Sequence, residues 1–145
     1  MGGRERWLTR SLVPSAPAHP DHSDNDEHAR RTHLGRDADG TDVSERQLSD
    51  AVAELAQLLG WRGYHTYDSR RSAAGFPDWV FVHPKQRRLL MVELKAARGK
   101  LSMEQVEWLD TLTDSECCEV ACWYPADWTD GTVEAVLRGE SNPAV

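Results

Sequence analysis

Hydrophobic and polar positions divide this chain at about residue 43. Up to residue 42 aliphatic side chains are few and follow no period, so no packed element is expected there. From Val43 onward the apolar residues fall into order. Leu48, Val52, Leu55 and Leu59 step by four, three and four, the stripe of a helix buried along one side. Ser44 and Gln47 form an S-x-x-Q capping box at its start, and Gly60 suits its end. A strand is predicted over residues 62–67, followed by the loop DSRRSAAGFP, where Gly75 and Pro77 interrupt regular structure. The apolar runs WVFV and LLMV flank the turn PKQR, so residues 78–83 and 88–95 read as a hairpin. Ser102 and Gln105 make a second capping box, opening a helix to about Thr113. Residues 117–124 alternate as a strand, and 132–138 form a short helix that ends at Gly139.

The order is therefore αβββαβ with a trailing helix, an α/β domain over residues 43–145 whose mixed sheet is flanked by helices. Residues 1–42 hold four of the six histidines and three prolines, and they bury too little apolar surface to offset the entropy of ordering. They are expected to be a disordered N-terminal tail, or an over-long start. A domain of this size can be stable without disulfides or a structural metal. Cys117, Cys118 and Cys122 make a poor disulfide framework and lack zinc-ligand spacing; they read as small, half-buried residues of the fourth strand. No apolar run reaches the roughly 18–20 residues of a membrane span, and no h-region follows Arg4, Arg6 and Arg10. The expectation is a soluble, cytoplasmic protein without a membrane partner.

Charge changes this picture. The whole chain carries −7, yet residues 62–100 hold nine basic residues against Asp68, Asp78 and Glu93, a local +6 that leaves −13 for the rest. A basic island inside an acidic chain suits a polyanion as well as it suits an ordinary solvated surface.

The acids inside that island are harder to explain. Side chains alternate along a strand, so Leu89, Met91, Glu93 and Lys95 share one face of the second hairpin strand. With PKQR as a four-residue loop, paired positions sum to 171, which places Asp78 opposite Glu93 with Cβ atoms about 4.5–5.5 Å apart. Two carboxylates facing each other across a sheet repel unless a cation lies between them. A divalent ion resolves the repulsion, and all-oxygen donors favour Mg²⁺ or Mn²⁺ over zinc. Each acid alone could equally be a solvated strand-end residue; the pair with Lys95 on one face is the signal.

Two helices offer further candidates. Glu45 lies three before Leu48 on the inward stripe and can reach the site, whereas Glu54 falls half a turn away and points to water. A first-turn acid is also what the helix dipole favours. Gln105 lies four before Leu109 on the inward stripe of the second helix, as a supporting residue; the capping box alone would also account for it. His65 could face either the site or solvent.

Pro77–Asp78, then Glu93-Leu94-Lys95, in an αβββαβ order, resembles the PD-(D/E)XK nuclease superfamily with its restriction-endonuclease-like fold. The first-helix Glu45, the loop RRSAAGFPD and the stretch GKLSMEQVEWL make it similar to the VRR-NUC group over about residues 44–125. The resemblance implies Asp78 and Glu93 as metal ligands, assisted by the Leu94 carbonyl and by Glu45. It implies Lys95 as the group that positions water or stabilises the transition state, and Gln105 as the aligned glutamine of the following helix. Mg²⁺ is the implied cofactor, with Mn²⁺ able to substitute. The implied activity is a metal-dependent DNA endonuclease acting on branched DNA, similar to Holliday-junction resolvases that work as homodimers. Arg70 and Arg71, in the loop before Asp78, are expected to contact phosphates, or to be solvated loop residues. The alternatives are a nuclease of flaps or single strands, and a catalytically silent DNA-binding module.

Overall fold

The computed structural model describes residues 43–67 and 70–140. The expectation of a disordered tail over 1–42 lies outside them. Helix α1 (Glu45–Leu58) opens the domain, followed by strands β1 (Arg62–His65), β2 (Trp79–His83) and β3 (Arg88–Leu94), helix α2 (Met103–Ser115) and strand β4 (Glu119–Trp123). Two short helices, α3 (Pro125–Thr129) and α4 (Thr132–Arg138), complete it.

Both capping boxes form as expected. Ser44 Oγ accepts from Gln47 N and Gln47 Oε1 accepts from Ser44 N, and Ser102 and Gln105 repeat the exchange at α2. Val43, just before the first cap, is buried with Leu48 in the same cluster, as a hydrophobic staple would place it. At the far end of α1 the chain turns at Gly60, whose φ of +92° suits glycine.

The four strands form one sheet in the order β1-β2-β3-β4. β1, β2 and β3 are antiparallel neighbours, while β3 and β4 run parallel because α2 carries the chain across between them. The hairpin register holds: Val80 pairs with Met91, Val82 with Leu89 and His83 with Arg88. One face of the sheet packs Phe81, Leu90, Val92, Leu94, Ala121 and Trp123 against Leu48, Val52 and Leu55 of α1, with Val133, Val136 and Leu137 of α4. The other face carries a smaller cluster, in which Val120 and Cys122 meet Leu109 of α2.

Some boundaries differ from the sequence reading. β1 ends at His65 rather than at residue 67. β4 starts at Glu119, because α2 runs on to Ser115 and Glu116 ends it in the left-handed region with φ +55°. Cys117 and Cys118 therefore form the connecting turn. Cys117 is exposed, Cys118 is half-buried and Cys122 is buried within β4. Helix α3 was not anticipated. Its signals are Pro125 at the first helical position and Asp127, which accepts from Tyr124 N at 2.8 Å.

At the hairpin-turn end of the sheet, Arg88 forms a bidentate pair with Glu119, both contacts at 2.6 Å. It also donates to Val136 O at 2.7 Å and lies 4.9 Å from the centre of the Trp61 ring. Both partners are buried. Arg88 thus locks β3, β4 and α4 together, and it does not join the basic surface that the sequence assigned to it.

Candidate active site

The opposite end of the sheet gathers the N-termini of α1 and α2, the start of β2 and the end of β3. Asp78 is held there by its loop. Trp108 of α2 donates to Ala74 O at 3.1 Å, and its ring meets Phe76 edge-on at 5.1 Å. Gly75 sits so close to α2 that a Cβ there would lie 2.4 Å from the Glu104 carbonyl carbon, and its φ is +81°. From the other side, Thr66 N donates to Asp78 O at 2.9 Å.

Asp78 stands one step beyond the last ladder pair, Trp79 with Val92. Its side chain continues the pairing in place of the main chain, because Oδ2 accepts the Leu94 N–H at 2.8 Å. Glu93 is 1% exposed and Lys95 is 9% exposed. Lys95 Nζ lies 3.0 Å from Glu93 Oε1, and Lys95 N donates to Trp123 O, tying the residue after β3 to the end of β4. Gln105 Nε2 donates to Glu93 Oε1 at 2.5 Å while its Oε1 holds the Ser102 N–H. The cap and the site contact are thus one arrangement, made by the two ends of a single amide.

The electrostatics follow from burial. Burial pushes the Glu93 carboxyl up to about 7; Asp78 and Glu45 add to the rise, and the Lys95 hydrogen bond opposes it. Asp78 is raised by burial against the Leu94 hydrogen bond and the charges of Lys95 and His65. Glu45 is raised by burial and by Asp78, and lowered by Lys95. Burial works against the charge of Lys95, but Glu93, Glu45 and Asp78 outweigh it and hold the ammonium above its ordinary range. Cys122, the register partner of Glu93, is pushed up to about 12 by burial and stays a neutral thiol.

Asp78, Glu93, Lys95, Leu94 and Gln105 are therefore in direct contact, through Leu94 N–H to Asp78 and through the Glu93 carboxylate. Glu45 belongs to the same electrostatic group but remains exposed at the first turn of α1. Arg70 and Arg71 are exposed in the loop between β1 and β2. His65, left open by the sequence, packs against Trp79 with ring centres 4.6 Å apart and planes tilted by 36°, near enough for its charge to lower Asp78. Trp79 Nε1 in turn donates to Ser49 Oγ of α1 at 2.8 Å, which anchors the first turns of that helix over the start of β2. The β1–β2 register pairs His65 with Trp79, which alternation along β1 alone does not supply.

A hard divalent cation fits these donors. Asp78 raises both Glu45 and Glu93, and Glu45 adds to the rise of Glu93, a repulsion that a positive charge would relieve, and all three are oxygen ligands. Among the described residues no three His, Cys, Asp or Glu side chains make a ready-formed cage.

The VRR-NUC domain family matches residues 20–123. A stretch of 56 residues is 39% identical to the Fanconi-associated nuclease 1 homolog of Caenorhabditis elegans, covering 36% of this chain and 6% of that relative. No solved structure matches the chain.

Proposed function

Since the chain belongs to the VRR-NUC domain family, a nuclease domain family, we propose that it is a Mg²⁺-dependent DNA endonuclease that hydrolyses phosphodiester bonds in branched or otherwise structured DNA. The observation that carries this reading is the buried Glu93 carboxylate, shared between Lys95 and Gln105 and raised by Asp78. A fold does not need a carboxylate, an ammonium and an amide to meet at a sheet end, and keeping them there is costly.

In this reading Asp78 and Glu93 hold the cation, with the Leu94 carbonyl as a third donor and Glu45 adding negative charge at the rim. When bound, such a cation supplies Lewis-acid stabilisation at the phosphate oxygens and a lowered pKa for water. Gln105 fixes the rotamer of Glu93 through its amide N–H. Lys95 keeps its proton through the neutral range and presents a fixed positive charge to the negative charge that builds up on phosphate. Arg70 and Arg71 hold phosphates beside the cut. Two copies of the chain would act together on a symmetric junction.

The experiment is cleavage of four-way junction, flap, single-stranded and duplex DNA with Mg²⁺, Mn²⁺ or EDTA, using wild type and Lys95→Ala. Lys95→Ala should lower single-turnover cleavage by about 10²–10³, as loss of one transition-state charge partner does, with affinity nearly unchanged. Lys95→Arg should recover part of the rate, because a planar fork replaces a point charge imperfectly. Undiminished cleavage by Lys95→Ala, or wild-type cleavage in EDTA, refutes the reading.

A further inference from the structure

The sheet face that bears Asp78, Glu93 and Lys95 is covered over only part of its width. Helix α2 packs on it through Leu109, against Val120 and Cys122 of β4. Alternation and register put Tyr64 of β1, Val80 and Val82 of β2, and Leu89 and Met91 of β3 on that same face. The β1–β2 half stays open, with Tyr64 67% and Val82 43% exposed. Tyr64 pairs with Val80, which lies two residues from Asp78, roughly 7 Å along the strand. The open strip therefore begins at the site and is continuous with it.

Charge selects among possible occupants. Arg62 is exposed on the same face and pairs with Val82, and Lys85 and Arg87 are exposed at the hairpin turn just beyond. β1, β2 and the turn between β2 and β3 carry no acid, and Asp78 stands immediately before β2. An apolar strip with a basic rim fits a polyanion that also has apolar surfaces to bury. Duplex DNA keeps its base faces stacked inside and turns sugar and phosphate outward, so a phenol ring and two valines have little to offer it. Unpaired bases expose their π-faces and stack on aromatic side chains regardless of sequence.

We propose that the strip formed by Tyr64, Val80 and Val82, flanked by Arg62, binds unpaired nucleobases of a single-stranded segment next to the bond held at Asp78, Glu93 and Lys95. This inference rests on reading that site as a nuclease centre, and it makes Tyr64 a determinant of which DNA is engaged. Tyr64 stacks a base, Arg62 meets the neighbouring phosphate, and Val80 and Val82 floor the strip.

The test measures binding of full-length wild type, Tyr64→Ala and Tyr64→Phe to labelled oligothymidylate and to a blunt duplex, in EDTA and again in Ca²⁺. A second probe carries 5-iodouracil in the single strand, for photocrosslinking and peptide mapping. Tyr64→Ala should lower oligothymidylate affinity about tenfold and leave duplex affinity within about twofold, as expected for one lost base–aromatic stack. Tyr64→Phe should bind like wild type, and crosslinks should map to the peptide containing Tyr64. Unchanged oligothymidylate affinity in Tyr64→Ala overturns the proposal, as does an equal loss for both probes. A wild-type dimer that becomes monomeric in Tyr64→Ala by sedimentation velocity also overturns it, because the strip would then be an interface between copies. The nuclease reading fails separately, on undiminished cleavage by Lys95→Ala. Normal cleavage with an inert Tyr64 sinks the strip alone, as does failure of wild type to bind oligothymidylate.

Discussion

Replacing Glu93 by glutamine separates the electrostatics of the site from any catalytic assay. Glu93 ionises near 7 in the folded protein, against 4.5 for an ordinary glutamate. Between those values the unfolded chain has given up its proton while the folded protein still holds it. The folded state is therefore penalised as pH rises, with stability highest below about 4.5 and lost progressively as pH passes through 7. A displacement of this size corresponds to about 3 kcal/mol, a large fraction of the stability of a small domain. Glutamine has nearly the same shape, never ionises, and can still meet Lys95 and Gln105 through its amide. Glu93→Gln should thus match wild type near pH 4 and exceed it by up to about 3 kcal/mol near pH 8.5, without divalent ions. The assay is urea unfolding in EDTA across that range, repeated with Mg²⁺. Added Mg²⁺ should stabilise wild type at high pH far more than the variant, since an ion bound to the native state alone shifts unfolding by mass action. Parallel pH profiles for the two proteins would refute the reasoning, because the burial of Glu93 would then carry no ionisation cost.

Gly75→Ala should destabilise the protein by more than 1 kcal/mol and reduce cleavage, because the left-handed backbone and the missing space beside Glu104 both oppose a Cβ; thermal unfolding and single-turnover rates check this. Glu119→Ala should cost about 3–5 kcal/mol by denaturant unfolding, since it leaves the Arg88 guanidinium buried without its carboxylate. Because that pair lies at the hairpin-turn end of the sheet, the cleavage rate of the folded fraction should hold.

The elements of this protein were legible in its sequence because each has a local cause. The two capping boxes, the 3.6-residue stripe of α1 and the glycines after α1 and α4 depend on neighbours within four residues. The hairpin register followed from the length of PKQR and from period-two alternation, which is why Asp78 and Glu93 could be assigned to the same place. The short helix α3 escaped because five residues show no period, leaving only Pro125 and Asp127 to announce it. The turn at Cys117 and Cys118 escaped because Glu116 ends α2 in a conformation that its side chain does not advertise.

Other facts came only with the packing. The sequence contained Arg88 and Glu119 as one basic and one acidic residue thirty-one positions apart; only the parallel pairing of β3 with β4 makes them a buried couple, and removes Arg88 from the basic surface. Gln105 could be read either as a cap or as a neighbour of Glu93, and the tertiary structure gives it both contacts, because α2 crosses the sheet at the height of Glu93. Depth is the clearest case. Alternation says which face Glu93 occupies but not what lies over it, and the pKa of a carboxylate depends on the dielectric and charges brought in from β2, α1 and α2. The amino-acid sequence by itself therefore determined the identity and facing of the chemical groups, through interactions that are short in sequence. Only the tertiary structure decided their burial, their partners and their charge, because desolvation and Coulomb coupling are set by neighbours distant along the chain.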